Sequence, residues 1–178
     1  ARTDEVRVAG RGGGHSVAGE SLIDGGLVID LSPMKRVEVD VEKRIARAQG
    51  GLRLEEFIGA TERYGLVSPT GTVADTGLAG LTLGGGFGWL CGHYGMAVDN
   101  VAGAEVVLAD GTVVHASADE HQDLYWAIRG GSGNFGIVTE FEMRLHPLTQ
   151  VLGGMLIHPL DRATEVLQFY RQLVATLP

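Results

Sequence analysis

The sequence predicts an α+β fold, because many short strand-like patterns are interleaved with only a few helical ones. Residues 105–116 contain two apolar runs joined by an Asp-Gly pair, a combination typical of a β-hairpin. Residues 54–64 carry apolar side chains at helical spacing, and Gly65 follows as a suitable C-cap. Residues 137–145 alternate between apolar and polar side chains, which favours a strand. These patterns predict a sheet accompanied by helices.

The remaining elements follow in chain order. Short strands are predicted at residues 6–9, 27–31, 37–39, 45–48 and 152–157, and helices at 119–128 and 161–173. The last of these helices is amphipathic, so we expect its apolar side chains to point inward. Residues 68–92 show no regular pattern, yet they are too apolar for a flexible linker. A loop of this length in a compact domain is usually functional.

Composition limits the classes of partner. A chain of 178 residues is long enough to bury one full core, and its net charge of −8 argues against nucleic acid and anionic membranes. Cys91 is the sole cysteine, so no internal disulfide can form. No apolar run reaches the roughly 18 residues that a membrane span needs. No signal peptide is visible, so we expect a cytoplasmic protein, with secretion of a longer parent protein as the alternative. We expect no metal site, since the histidines lack ligand spacing.

Glycine is unusually abundant and clustered. The chain has 28 glycines among 178 residues, whereas globular proteins average about 7%. The clusters fall at residues 10–14, 84–88 and 130–136. This distribution indicates that several backbone segments converge on one large ligand.

The first cluster lies in the segment Arg-Gly-Gly-Gly-His-Ser at residues 11–16, directly after a predicted strand. Three glycines give free access to positive φ, and successive amides can then form an anion-binding concavity. Arg11 adds a cation, Ser16 a hydroxyl and His15 a nucleophilic ring, so we predict a phosphate cradle with a histidine beside it. A plain glycine-rich turn remains an alternative. A hydrolase elbow at residues 14–18 is disfavoured, because turn residues follow where a helix is required.

The segment 131–136 matches the pattern G-x-G-x-x-G by letter. The dinucleotide fingerprint requires a strand before this pattern and a helix after it. Here a predicted helix precedes and a predicted strand follows. We therefore reject a Rossmann site and interpret these glycines as letting backbone approach a flat ligand.

Five segments together resemble a known family. They are RGGGHS at 11–16, TGLAGLTLGGGFGWL at 76–90, YGMAVDN at 94–100, DLYWAIRGG at 123–131 and GNFGIVT at 133–139. In this order they resemble the FAD-binding domain (PCMH-type) of berberine bridge enzyme-like oxidases, in the vanillyl-alcohol oxidase superfamily. The resemblance covers roughly residues 5–147 and implies a small parallel β segment, a larger and mainly antiparallel sheet, and flanking helices.

The resemblance also implies a cofactor and its site. FAD would lie extended across the domain, with its pyrophosphate held by the first two segments and its adenosine near the last. The implied cofactor-binding residues are Arg11, Gly12, Gly13, Gly14, His15, Ser16, Thr76, Gly77, Gly80, Gly84, Gly85, Gly86, Gly88, Asp99, Asn100, Asn134, Gly136, Ile137 and Val138. His15 matches the histidine that bonds covalently to the flavin. Val73 occupies the position of a second, cysteine tether, so we expect one covalent bond.

The resemblance implies domain limits and an activity. Residues 1–147 would form an FAD-binding domain lacking its first βαβ segment, and residues 148–178 the start of a truncated substrate-binding domain. The catalytic base would lie beyond Pro178. The implied activity is that of an oxidase moving a hydride from a small alcohol, sugar or amine to flavin and then to molecular oxygen. The alternative is a non-catalytic fragment that is stabilised by self-association, with a homodimer expected.

Overall fold

The computed structural model describes residues 6–148 and 150–177. The strands are β1 (Val8–Arg11), β2 (Leu27–Asp30), β3 (Val37–Asp40), β4 (Ile45–Gln49), β5 (Leu66–Val67), β6 (Val101–Val107), β7 (Val113–Ser117), β8 (Ile137–Arg144) and β9 (His146–Pro147). The α-helices are α1 (Leu54–Thr61), α2 (Leu78–Leu83), α3 (Cys91–Tyr94), α4 (Gln122–Ile128) and α5 (Ala163–Val174). No helix in the described ranges is long and apolar enough to cross a membrane.

Three sheets form the fold. The first two strands pair in parallel, from Val8 opposite Leu27 to Arg11 opposite Asp30. The large sheet is antiparallel with strand order β3-β4-β8-β6-β7, and β5 pairs with β9 as a separate two-stranded ribbon. The predicted α+β class, with a small parallel segment and a larger antiparallel sheet, is confirmed.

One face of the large sheet carries the core. In β4, Ala46 and Ala48 are fully buried while Arg47 between them is exposed, as period-two alternation requires. Helix α1 contributes Leu54 and Phe57 to the same cluster, and helix α4 contributes Tyr125 and Ile128. The opposite face of the sheet is charged, with Arg47 paired to Glu142 across neighbouring strands. The sheet therefore holds the helices on one side only.

Helix α1 ends close to its predicted limit. It runs to Thr61 and tightens into a 3₁₀ turn over Glu62–Tyr64, after which Gly65 adopts a left-handed conformation with φ 65°. This is the C-cap role predicted for Gly65. Helix α4 begins at Gln122, three residues later than predicted, because His121 has φ 46° and cannot continue a helix toward the N-terminus.

The stretch 68–92, which showed no regular pattern, contains α2 and begins α3. Helix α2 has only six residues, which is too short for a helical period to stand out among the glycines and threonines around it. It forms because Leu78, Thr82 and Leu83 are buried against the core. Packing of an apolar face, not propensity, stabilises such helices.

Two predictions near the C-terminus are wrong. Residues 152–157 form no strand, and their large side chains are exposed because no neighbouring strand covers them. Helix α5 exists close to its predicted limits, but none of its residues is buried. Its apolar face, expected to point inward, therefore lies open along Leu167, Tyr170 and Leu173.

Candidate cofactor-binding site

A cavity of about 620 Å³ lies where three separate segments meet. The segments are residues 8–21 around the end of β1, residues 76–83 around α2, and residues 132–138 leading into β8. Its volume falls within the roughly 300–1,000 Å³ of ligand pockets in general. The cavity is thus lined by two of the three glycine clusters that the sequence singled out, at residues 10–14 and 130–136, whereas the cluster at 84–88 lies outside it.

Many of the predicted site residues line this cavity together. They are Gly12, Gly13, Gly14, His15, Ser16, Thr76, Gly77, Gly80, Asn134, Gly136, Ile137 and Val138. These residues are far apart in the sequence, and only the folded chain brings them to one surface. The glycine clusters at 10–14 and 130–136 therefore meet at one cavity, while the contact of each residue with a cofactor stays a prediction.

Gly13 and Gly77 hold two walls of the cavity together. A Cβ atom on Gly13 would overlap the backbone nitrogen of Gly77 and lie 2.5 Å from its Cα. The reverse holds as well, since a Cβ atom on Gly77 would lie 2.7 Å from the Cα of Gly13. The two backbones touch directly, and neither position tolerates a side chain.

The backbone of the first segment offers unused donors to the cavity. Within the described part of the chain, the N–H groups of residues 12–15 donate no hydrogen bond to another residue. Consecutive free amides of this kind bind anionic oxygens well. The cavity wall is therefore suited to the pyrophosphate of a dinucleotide, and the glycines allow it to come close to the backbone.

Arg11 supports this segment from behind and does not line the cavity. Its Nη1 donates to Asp30 Oδ2 at 3.1 Å, across the parallel pair of β1 and β2. The backbone N–H of Ser32 and the Arg11 guanidinium together hold the pKa of the Asp30 carboxyl below its usual value. Gly14 has φ 75°, and a Cβ atom there would lie 3.2 Å from Arg11 Nε. Arg11 was predicted to bind phosphate, but in the structure its guanidinium stabilises the loop through Asp30.

His15 faces a carboxylate from the residue that precedes the opposite wall. Its Nε2 lies 3.5 Å from Asp75 Oδ1, and the two side chains are 43% and 57% exposed. Asp75 immediately precedes Thr76, which lines the cavity. A histidine ring at a cavity rim with a carboxylate behind one nitrogen is oriented for chemistry at the other nitrogen. Among the described residues, no group of three or more His, Cys, Asp and Glu side chains is arranged to hold a metal ion.

The glycines 84, 85, 86 and 88 lie outside the cavity lining. Gly85 and Gly86 have φ values of 121° and 76°, and their carbonyls accept hydrogen bonds from the N–H groups of Val98 and Ala97. A Cβ atom on Gly88 would overlap the carbonyl oxygen of Thr70. These glycines let the backbone after α2 pack closely against neighbouring backbone. Their contact with the cofactor remains a prediction.

Asp99 and Asn100 also lie outside the lining and act within the protein. Asp99 Oδ2 accepts the N–H of Met96 at 2.9 Å. The Nδ2 of Asn100, which is only 3% exposed, donates to the carbonyls of Tyr94 and Met96 at 2.9 Å each. Its Oδ1 lies 2.6 Å from His146 Nε2, so the ring of His146 donates there. Asn100 therefore ties the segment 94–100 to β9.

Several cavity residues were missed by sequence reasoning. They are Val8, Ala9, Gly10, Glu20, Ser21, Leu31, Ala79, Leu81, Leu83, Ser132 and Gly133. Alternation along β1 could have indicated that one of its faces borders the ligand. The residues of α2 carried no signal without the helix itself. Glu20 and Ser21 lie in a turn whose side-chain directions depend on the tertiary fold.

The fold and this cavity define a dinucleotide-binding domain of the flavoprotein class, and comparison with known proteins agrees. The family model described as "FAD binding domain" matches residues 1–117. The chain therefore belongs to the FAD-binding domain family, and FAD is the cofactor of this domain.

Individual proteins of known sequence or structure are similar to this chain. FAD-linked oxidoreductase pgmH from Aspergillus terreus is 46% identical over 161 residues, which cover 90% of this chain and 32% of that protein. The crystal structure of 6-hydroxy-D-nicotine oxidase from Arthrobacter nicotinovorans is 39% identical, with a TM-score of 0.81, covering 83% of this chain and 32% of that one. BBE-like 1 from Physcomitrella patens is 39% identical, with a TM-score of 0.79 over 82% and 32% of the two chains.

These likenesses confirm the resemblance to berberine bridge enzyme-like flavoproteins. The chain spans about a third of the length of the curated relatives that it matches. The matched third contains the cavity described above.

Proposed function

We propose that the protein carrying this chain is an FAD-linked oxidase. It removes a hydride from a small organic substrate, an alcohol, sugar or amine, and passes the electrons to molecular oxygen. The observation that carries this proposal is the cavity of about 620 Å³ in a domain of the FAD-binding family, with free backbone amides along one wall. The similarity to an enzyme named as a nicotine oxidase supports the oxidase class.

The residues of this chain would bind and orient the cofactor. The free amides of residues 12–15 would hold the pyrophosphate, and the glycines around Gly136 would let the adenosine lie against backbone. When bound, FAD accepts the hydride and passes on the electrons. The protein orients the cofactor and sets its electrostatic environment. The chain covers about a third of the length of its curated relatives, so the catalytic base and the choice of substrate are not assigned to residues of this chain.

We further propose that His15 bonds covalently to the flavin. His15 lines the cavity at the end of the glycine segment, and its ring is held near a carboxylate. Val73, at the position of a cysteine tether, has no nucleophilic group, so a single bond is proposed. A covalent bond keeps the cofactor in place after unfolding, whereas pocket contacts are lost with the fold.

The test is a measurement of mass after denaturation. The complete gene product is expressed in riboflavin-replete cells, and its denatured mass should exceed the polypeptide mass by one FAD. His15→Ala should abolish this increase while leaving a yellow native protein that releases FAD in acid. His158→Ala, which changes an exposed histidine far from the cavity, is the matched control and should retain the bound FAD. A colourless wild-type protein would contradict the flavoprotein assignment itself.

A second candidate is a non-catalytic flavin-fold fragment that is held together by self-association. It is favoured by the exposed apolar side chains between Val151 and Leu177, which a homodimer would cover. Flavin absorbance separates the two candidates. A yellow protein that is reduced by a substrate and reoxidised by air supports the oxidase, whereas a colourless dimer supports the fragment.

A further inference from the structure

We infer that Asp75 is a positioning residue for His15, which holds the ring through Nε2 and leaves Nδ1 free to bond the flavin. This inference rests on the proposed covalent attachment. Among the described residues, Asp75 is the only acidic side chain within ion-pair distance of the His15 ring, with Nε2 and Oδ1 3.5 Å apart. His15 lines the cavity, and Asp75 directly precedes Thr76, which lines its facing wall.

The backbone on both sides of Asp75 is tied down. The carbonyl of Ala74 accepts the N–H of Glu55, and the carbonyl of Thr76 accepts the N–H of Leu54, both at 2.9 Å. These donors belong to the first turn of α1, whose N–H groups have no partner inside the helix. The carboxylate is therefore presented from a fixed backbone, although its side chain is half exposed.

The backbone of His15 is fixed from the other wall. Gly13 is in direct backbone contact with Gly77, two residues after Asp75. Gly14 then turns the chain with φ 75°, beside the Arg11 guanidinium that is paired with Asp30. The separation of His15 and Asp75 is thus set by packed backbone. A site built this way keeps two side chains facing each other without burying them.

The pairing selects one ring nitrogen. A neutral imidazole carries one N–H and one lone pair, and a carboxylate can only accept. The Asp75 carboxylate therefore favours the proton on Nε2 and the lone pair on Nδ1. A separation of 3.5 Å places the Nε2 and Oδ1 atoms within ion-pair distance.

The covalent step balances with oxygen as the final oxidant. The Nδ1 lone pair forms a bond to the 8α carbon of FAD, one C–H bond of that methyl group breaks, and the ring loses its Nε2 proton. The two electrons and two protons released reduce the flavin ring system, and molecular oxygen takes them to give hydrogen peroxide. The positive charge that develops on the imidazole faces Asp75. Preorganised groups aimed at a developing charge contribute about 10²–10³-fold in rate.

The experiment follows attachment directly. Apoprotein of the complete gene product, made in riboflavin-starved cells, is mixed with FAD, and the denatured mass is recorded over time. Asp75→Asn should slow covalent attachment by about 10²-fold, with the affinity for FAD before attachment unchanged. Asp75→Glu should restore much of the rate because it restores the charge. Asp119→Asn, the same change at an exposed site before α4, should attach FAD at the wild-type rate.

Glu20 provides the sharpest comparison, because it is an acidic residue that itself lines the cavity. Glu20→Gln should slow attachment far less than Asp75→Asn if the inference holds. Attachment by Asp75→Asn at the wild-type rate would overturn it, and so would a parallel loss of FAD affinity or melting temperature, which would mark a structural role. Covalent FAD on His15→Ala would overturn the proposed attachment site instead, and wild-type protein without covalent FAD would overturn both.

Discussion

At the scale of single residues, Gly13 and Gly77 are the positions where identity matters most. Their backbones touch, so the space that a side chain needs is already occupied by main-chain atoms that cannot swing away. Both residues line the cavity as well. The same pair of glycines therefore joins two walls of the cavity and keeps the contact between them free of side chains.

Gly13→Ala should destabilise the domain and abolish FAD binding. Forcing a methyl group into packed backbone costs about 1–3 kcal/mol, and the walls must separate to admit it. Gly59→Ala is the matched control, since nothing lies within 4 Å of a Cβ atom on this glycine of α1. The control should gain up to about 1 kcal/mol from helix propensity. Urea unfolding and FAD titration measure both effects, and unchanged affinity in Gly13→Ala would contradict the packed contact.

His146 should make stability depend on pH. Burial lowers the pKa of His146, and the charges of His93, Arg144 and Arg44 lower it further. The unfolded state therefore takes up the proton first, and stability falls as the pH drops through the unperturbed value of 6.5. The loss levels off below the folded-state pKa. His146→Gln, which keeps a donor for Asn100 but cannot titrate there, should lose less stability between pH 7.5 and 5.5.

Urea unfolding at the two pH values checks this, with His158→Gln as the control at an exposed histidine. Wild-type protein and His146→Gln losing stability equally over that interval would show that His146 is not responsible. The stack of His146 on Tyr94, with ring centroids 4.1 Å apart, is the environment that protonation would disturb.

The glycine-lined parts of the cavity could be predicted from the sequence, because a backbone that comes close to a ligand requires clustered glycines. Asp75 and Glu20 left no such trace, since a single carboxylate in a turn is also the commonest kind of surface residue. Arg11 was predicted from its charge alone, and its partner Asp30 became visible only once β1 and β2 were paired. Side-chain partners across a sheet depend on register, which local sequence does not specify.

At the scale of elements, α4 is anchored to the large sheet by a hydrogen bond. The hydroxyl of Tyr125 donates to the carbonyl of Val101 at 2.6 Å, at the start of β6. That carbonyl also accepts a bond from Arg144 Nη1 at 3.2 Å. The helix leads directly into the segment 132–138 that forms one wall of the cavity.

Tyr125→Phe should therefore lower the free energy of unfolding modestly, by about 0.5–1 kcal/mol, since Arg144 still satisfies the Val101 carbonyl. Tyr64→Phe removes a hydroxyl from an exposed ring and should change stability by less. Urea denaturation of both variants gives the comparison. A loss above about 2 kcal/mol in Tyr125→Phe would mean that the ring itself repacks.

Element types were predictable where periodicity was long, as in α1 and the hairpin of β6 and β7. They were not predictable where tertiary packing decides. Helix α2 lies within a Thr- and Gly-rich stretch and is stabilised by Leu78, which is fully buried. Residues 152–157 have strand-forming side chains but lack a neighbouring strand, and a strand is defined by its partner.

At the scale of the whole molecule, the described residues from 150 to 177 carry a dense group of exposed apolar side chains. Leu152, Leu156 and Leu160 are almost fully exposed, and the apolar face of α5 adds to them. Large apolar patches of this kind usually mark an interface. The domain with the cavity is well packed without this segment, because the core cluster ends at Leu145.

The 178-residue chain should therefore self-associate through this surface. Leu167→Glu places a charge on the apolar face of α5 and should shift sedimentation toward monomer. Gln172→Glu adds the same charge on the opposite side of the helix, by helical spacing, and should leave association unchanged. Monomeric wild-type chain at high concentration would contradict the prediction.

The cavity draws its walls from both ends and the middle of the domain, which has a consequence for the order of events during folding. Segments 8–21, 76–83 and 132–138 meet only after long loops have closed, a slow class of event in chain collapse. FAD therefore finds its site only on a chain that has completed this closure, and until the covalent bond forms it acts as a reversible ligand of the native state. At a free concentration one hundred times its Kd, such a ligand adds about 2.7 kcal/mol to stability. The vitamin supply of the cell thereby becomes one of the conditions that decide how much of this protein is folded.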